Sequence, residues 1–176
     1  DVVDYEPGDE GKGAIVAIHP RRNYIIRKST NLSREAHIIA SNIDVAFLIV
    51  TLDFPETKTA FVDRFLVTCE AYRVPVKLIL NKFDLLDERY SDMLTGFREI
   101  YEGAGYEIIE ISALTGHNIE RLRAECNGKV TLFSGQSGVG KSSLINALDN
   151  KLILRTGEIS EYHQQGKHTT TFYEMH

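Results

Sequence analysis

Gly135-Gln136-Ser137-Gly138-Val139-Gly140-Lys141-Ser142, with Ser143 directly behind it, lies between a strand-like run at 129–133 and a helical spacing at 141–148. The pattern is G-x-x-x-x-G-K-[ST] in a strand–loop–helix context, the setting in which it forms a phosphate-binding loop. The glycines let backbone amides turn inward around phosphate oxygens, and the helix start adds partial positive charge. Lys141 would reach the β- and γ-phosphates, and the Ser142 hydroxyl would ligate Mg²⁺. The alternative, a plain glycine-rich turn, is disfavoured by the flanking strand and helix. The stretch implies a nucleoside triphosphate site and says nothing of the base.

Working outward, strands alternate with helices. Residues 43–52 form a near-continuous apolar strand that ends in Asp53, and 57–72 has helical spacing with Phe61, Phe65, Leu66 and Cys69 on one side. Strands follow at 75–80, 106–111 and 129–133, with helices at 86–104, 119–126 and 141–148. Strands that are apolar throughout indicate a parallel sheet covered on both faces, an α/β fold. Ligands in such sheets sit at the carboxyl ends of the strands. The first 28 residues are different. A strand at 14–18, turn chemistry at His19-Pro20-Arg21-Arg22-Asn23 and a second strand at 24–27 predict a β-hairpin. Such a hairpin is too small to stand alone and reads as the tail of a small barrel. Residues 29–41 read as a polar connection.

Two further segments end apolar strands. Asn81-Lys82-Phe83-Asp84 is N-K-x-D. A carboxylate at Asp84 accepts two hydrogen bonds from the N1–H and 2-amino group of guanine, which adenine does not offer in that place. Asn81 can brace neighbouring loops, and the Lys82 stem can cover a base face. Ser112-Ala113-Leu114 is a small loop that lets a backbone amide approach the guanine O6. Taken singly, N-K-x-D is a weak signal that a mere turn also gives, and Ser-Ala at a strand end is usually a helix cap. In combination with the phosphate loop they point to a guanine nucleotide.

The chain has 176 residues, 43% hydrophobic and 26% charged, enough for a real core without staples. Its longest apolar run, 45–50, is far too short to span a bilayer, and no charged-then-apolar leader opens it. Cys69 and Cys126 stand in no ligand spacing and read as packing cysteines of a reduced, cytoplasmic setting. The net charge of −5 resides entirely in residues 34–150, and both ends are neutral. Mild acidity placed there does not exclude a nucleic-acid partner. Both ends read as cut: the chain starts at Asp1 without a methionine, and His176 stops just after a Thr-rich segment.

The phosphate and base motifs are those of Ras-like GTPases, but their order is inverted. N-K-F-D and S-A-L come first and the phosphate loop last, which is a circular permutation. This order, the preceding barrel fragment, the phrase Gly135–Asn146 and the downstream Gly166-Lys167-His168-Thr169-Thr170-Thr171 resemble the bacterial small-ribosomal-subunit-dependent GTPase A family, RsgA. The resemblance implies a circularly permuted P-loop (Ras-like) GTPase domain at 34–176, preceded at 1–33 by the closing part of an OB-fold barrel.

It further implies a factor that binds GTP or GDP with Mg²⁺. Such a factor hydrolyses GTP in late maturation of the 30S ribosomal subunit, stimulated by the subunit, and contacts 16S rRNA as a monomer. Residues 157–171 then resemble the first switch loop. Thr170 is the best match to the Mg²⁺-ligating switch threonine, with Thr169 and Thr171 as rivals. His168 matches the histidine proposed to orient the attacking water, and His163 reads as surface. Arg21 and Arg22, at a hairpin tip, would touch rRNA phosphates or remain a solvated turn. The family's D-x-x-G switch motif and its zinc-ligand cluster do not occur in these residues, so Zn²⁺ is expected only in a further C-terminal domain. Asp53 is not a substitute for the switch aspartate and reads as a cap or turn residue. Two rival readings stay open. One is a P-loop ATPase or kinase in which N-K-F-D is accidental. The other is a non-catalytic rRNA-binding module that nucleotide merely stabilises.

Overall fold

A computed structural model describes residues 1–8, 12–28, 36–149, 159–160 and 165–166. Four parallel strands make the central sheet of the described residues: β5 (Val45–Val50), β6 (Val76–Leu80), β7 (Ile108–Glu110) and β8 (Thr131–Gly135), in spatial order β7-β6-β5-β8. Helices α1 (Thr59–Ala71), α2 (Ser91–Gly103), α3 (Ile119–Cys126) and α4 (Lys141–Leu148) connect and cover them. Every residue of β5 is buried, as its unbroken apolar sequence requires of a strand packed on both faces.

Alternate side chains feed two cores. Val45, Phe47 and Ile49, with Ile79, Ile109 and Ile111, face α3 and α4 through Ile119, Leu122 and Leu144. Leu48, Val50, Leu78 and Leu80 face the opposite way, onto Val62 and Leu66 of α1 and Phe97 and Tyr101 of α2. Phe47 stacks on Phe133 of the neighbouring strand at 5.3 Å. Cys69 is fully buried, and burial pushes its thiol up to about 12, as befits a packing cysteine.

The topology carries the permutation. The phosphate-loop strand β8 is last of the four in sequence, yet it pairs with the first, β5, in register from Val45 opposite Thr131 to Ile49 opposite Gly135. Because all four strands are parallel, the loops after β5, β6, β7 and β8 gather along one edge of the sheet. Gly135 leaves β8 so close to β5 that a Cβ there would lie 2.6 Å from the Ile49 carbonyl oxygen.

The N-terminal part corrects two expectations. The strands at 14–18 and 24–27 do not pair with each other. Instead β1 (Val3–Pro7) pairs antiparallel with β2 (Gly13–Ile18), and β3 (Tyr24–Lys28) with β4 (Ala36–Ser41). The stretch read as a polar connection therefore ends in a strand, Ala36–Ser41. The physical reason is tertiary. Ile25 of β3 packs with Ile43, Ala46, Cys69 and Val74 under the parallel sheet. Buried Asn23 fastens the same place. Its Nδ2 donates to the Ile43 and Arg73 carbonyls at 2.8 and 3.2 Å, and its Oδ1 accepts from Ile43 N–H at 2.7 Å.

The arginines of the presumed hairpin tip are engaged as well. Arg21 pairs with Asp1, and Arg22 with Asp44 and the Asn42 carbonyl. Downstream, Ile159–Ser160 and Gln165–Gly166 form a short antiparallel pair. Among the described residues no helix is long and apolar enough to cross a membrane.

Candidate nucleotide site

The loop Gln136–Gly140 joins β8 to α4, with Gly138 at φ +84° and Gly140 at φ +93°. Both values lie in the left-handed region that glycine enters without penalty. Val139 points inward and is fully buried beside the α4 core, which pins the loop's centre. Gly140 begins α4, and its carbonyl accepts from Leu144 N–H at 2.9 Å. Lys141 folds back over the loop, where Nζ donates to the carbonyls of Gly135 at 2.8 Å and Gln136 at 2.6 Å. Burial lowers the pKa of this ammonium, the state of a cation that a polyphosphate would compensate. Ser142 is half-buried and Ser143 exposed in the first turn of the helix. The fit to a nucleotide rests on this cradle: backbone curled by glycines, a helix start beneath it and a lysine already held inside it. Among the described residues no group of three or more His, Cys, Asp or Glu could hold a metal ion.

The N-K-F-D and S-A-L loops meet the glycine-rich loop at Asn81. This side chain is 3% exposed. Its Nδ2 donates to the Val139 carbonyl at 2.8 Å, and its Oδ1 accepts from Ala113 N–H at 3.3 Å. One amide thus ties N-K-F-D to both other motifs, which is the bracing read from the sequence. A Cβ on Gly140 would collide with Asn81 Nδ2, so the contact needs glycine there as well as asparagine here.

Lys82 follows in left-handed backbone, φ +60° and ψ +34°. Its half-buried stem ends with Nζ donating to the Phe54 carbonyl. Asp84 opens the short 3-10 turn Phe83–Leu85 and is exposed to solvent, as a carboxylate that receives a ligand must be. Ser112 is buried. Its Oγ accepts from Thr115 N–H at 3.0 Å, so it caps the S-A-L turn. Leu114, at 85% exposed, stands clear of the protein.

Three features of the site were not read from the sequence. Phe83 stacks on His117 at 5.8 Å, an added link between the N-K-F-D and S-A-L loops. Asp53 accepts from Phe54 N–H at 2.8 Å and from the Tyr90 hydroxyl at 2.6 Å, which makes it a turn residue with a second partner. The Phe54 carbonyl is the third. No spacing rule brings positions this far apart into contact, so no signal in the chain announces them. His168 and Thr170, with rivals Thr169 and Thr171, lie outside the described residues, as does His163.

The family model described as RsgA GTPase matches residues 18–176. The chain is 54% identical over 166 residues to the small ribosomal subunit biogenesis GTPase RsgA of Bacteroides fragilis, covering 94% of this chain and 54% of that protein. To the protein of the same name from Flavobacterium johnsoniae it is 51% identical over 179 residues, covering 100% and 55%. Among solved structures it is similar to YjeQ from Thermotoga maritima, with a TM-score of 0.73 and 35% identity over 93% of this chain and 56% of that one. It is also similar to YloQ, described as a circularly permuted GTPase, with a TM-score of 0.64 and 30% identity over 85% and 49%. The chain spans about half the length of the curated relatives it matches. With the profile matched over most of its length, and its phosphate-loop strand last in sequence but beside the first in space, the chain belongs to the RsgA GTPase family.

Proposed function

We propose that this chain binds GTP and GDP with Mg²⁺, and that the protein it represents hydrolyses GTP during maturation of the small (30S) ribosomal subunit. The observation that carries this reading is the Asn81 bridge, which joins a phosphate loop to both base-reading loops at one sheet edge. The names of the relatives supply the ribosomal half of the proposal.

In this reading the loop amides from Gly135 to Ser143 and the Lys141 ammonium hold the β- and γ-phosphates and stabilise charge that grows as the terminal phosphate is lost. Asp84 accepts the guanine N1–H and 2-amino protons, the Lys82 stem covers one face of the base, and a backbone amide of the Ser112-Ala113-Leu114 loop approaches O6. Ser142 and Thr170 would hold Mg²⁺, which would supply positive charge to neutralise the phosphates. His168 would orient the attacking water. GTP would order the switch segment and hydrolysis would release it, so that the nucleotide times departure from the subunit.

Residues 1–33 are proposed as the closing strands of an OB-fold barrel. Support comes from the bulged antiparallel pair of β1 and β2, and from β2 itself, whose Ile15, Val16 and Ile18 are 65%, 54% and 64% exposed on both faces of the ribbon. Contact with 16S rRNA, a monomeric state, a cytoplasmic setting and a Zn²⁺ domain elsewhere in the whole protein complete the proposal.

The test is GTP and ATP hydrolysis by the full-length protein with and without 30S subunits. GTP-selective turnover that rises with subunits is expected. Equal use of ATP would favour a general P-loop ATPase, and absence of any turnover with subunits would leave a nucleotide-stabilised binding module. Asp84→Asn should move the preference from guanine to xanthine nucleotides.

A further inference from the structure

The segment that joins β5 to α1 lies against the base-reading loop, and neither the phosphate nor the guanine motifs account for it. At its turn Phe54 adopts φ +53°, a left-handed backbone unfavourable for an aromatic residue. Phe54 is 49% exposed, so its own packing does little to hold it there, while Leu52 and Pro55 on either side are buried. Polar ties add to their hold. Phe54 N–H donates to Asp53 Oδ1 at 2.8 Å, and the Tyr90 hydroxyl donates to Asp53 Oδ2 at 2.6 Å. On the inner side, Thr51 Oγ1 donates to the Pro55 carbonyl at 2.5 Å. Held this way, the turn presents the Phe54 carbonyl to Lys82 Nζ.

Lys82 needs that acceptor. Burial pulls its pKa down, opposed in part by the nearby Asp84 charge, so its ammonium sits where water solvates it poorly. Such a cation stays in place only with a partner. The Phe54 carbonyl anchors the far end of the stem, and a stem anchored at both ends has little rotamer freedom left to lose when a base lies on it. Tyr90 ends the 3-10 turn Glu88–Tyr90, a few residues beyond N-K-F-D, so its bond to Asp53 also fastens the two loops to each other on their outer side.

We infer that Asp53 and Tyr90 are positioning residues that set how long guanine nucleotide is retained, acting through the Phe54 carbonyl on Lys82. The inference rests on the guanine-nucleotide reading above. Neither residue belongs to the phosphate or base motifs, so the effect is on the readiness of the lysine rather than on any contact of their own.

The experiment is stopped-flow release of N-methylanthraniloyl-GDP from the full-length protein. The variants are Tyr90→Phe, Asp53→Ala and Lys82→Ala, together with Tyr90→Phe in the Lys82→Ala background. Tyr90→Phe removes one hydroxyl and should speed release roughly three- to tenfold, the worth of one hydrogen bond. Asp53→Ala should do at least as much. In the Lys82→Ala background Tyr90→Phe should add nothing, because the carbonyl has no lysine left to hold; a merely structural effect would persist there. Tyr106→Phe breaks a similar tyrosine–carboxylate pair, with Glu70 at 3.3 Å toward the opposite edge of the sheet, and should release at the wild-type rate. If the wild type binds the nucleotide but both single variants release it at the wild-type rate, the inference is overturned alone. Equal acceleration with and without Lys82 overturns it as well. Failure of the wild type to bind would overturn the guanine reading and this inference with it. Tyr90→Phe keeps the ring, so the test stands even if Asp53→Ala fails to fold.

Discussion

Asn81 Nδ2 and the Val139 carbonyl meet at 2.8 Å across 58 residues of chain. The bond joins the end of β6 to the phosphate loop, although that loop comes last of the motifs in sequence. Permutation has moved the chain ends and left the contact where the sheet puts it, because strands that are neighbours in space bring their loops together whatever their order.

Asn81→Ala should strand two groups at once, the Val139 carbonyl and the Ala113 amide. Unsatisfied buried polar groups cost about 1–3 kcal/mol each. The melting temperature of the nucleotide-free protein should drop, and guanine nucleotide affinity should fall with it, measured by thermal denaturation and titration. Retained affinity with lowered stability would show the bridge to be structural only.

Gly140→Ala meets a double obstacle, φ +93° and the collision of its Cβ with Asn81 Nδ2. It should lower stability by more than about 1 kcal/mol and weaken nucleotide binding. Gly96, inside α2, has nothing within 4 Å of a built Cβ. Gly96→Ala should therefore stabilise the protein by about 0.5–1 kcal/mol in urea denaturation, with binding unaltered.

The Phe83–His117 stack should behave as a coupled pair. A double-mutant cycle with Phe83→Leu and His117→Ala, read by stability, should give a coupling of about 0.5–1.5 kcal/mol. Additive effects would mean that the rings lie together without attracting each other.

Acid sensitivity should trace in part to Glu107. A hydrogen bond from Lys77 holds its carboxyl below the usual 4.5, against the opposing effect of burial, and Arg121 adds to it. A depressed folded pKa contributes stability that is present above the unfolded value and lost as pH falls through the folded one. Glu107→Gln should therefore lower the melting temperature above about pH 5, and the difference should shrink toward zero in stronger acid. Lys77 is shifted the other way: burial alone would lower it, but Glu107 and Glu125 raise it. Its share is fully present below the ordinary lysine value and is lost only as pH rises through the raised one, so the pair should be flat across neutrality.

Much of the parallel domain was legible in the sequence. The helices at 119–126 and 141–148 form as read, and the strands differ by a few residues at their ends. The reason is that an apolar run bounded by glycine, asparagine or aspartate can be buried on both faces in few other ways. The long helix expected from residue 86 begins only at Ser91, because two 3-10 turns, Phe83–Leu85 and Glu88–Tyr90, take up the approach to it. The N-terminal strands were harder. Local turn chemistry at 19–23 argued for a hairpin, but Asn23 and Ile25 are recruited by the sheet below, and β3 pairs with Ala36–Ser41 instead.

By itself the sequence determined the α/β class, the glycine-rich G-x-x-x-x-G-K-S loop and the N-K-F-D and S-A-L segments, and through their inverted order the permutation. All of these are written in short runs whose chemistry is local: glycines that free a backbone, a lysine and serine at a helix start, a carboxylate after a strand. Only the tertiary structure decided how the runs act on one another. That Asn81 reaches Val139, that Phe83 lies on His117, and that Asp53 and Tyr90 aim a carbonyl at Lys82 are contacts between distant positions. They arise because parallel strands of unequal place in the chain end along the same edge, and no local pattern encodes which side chains will meet there.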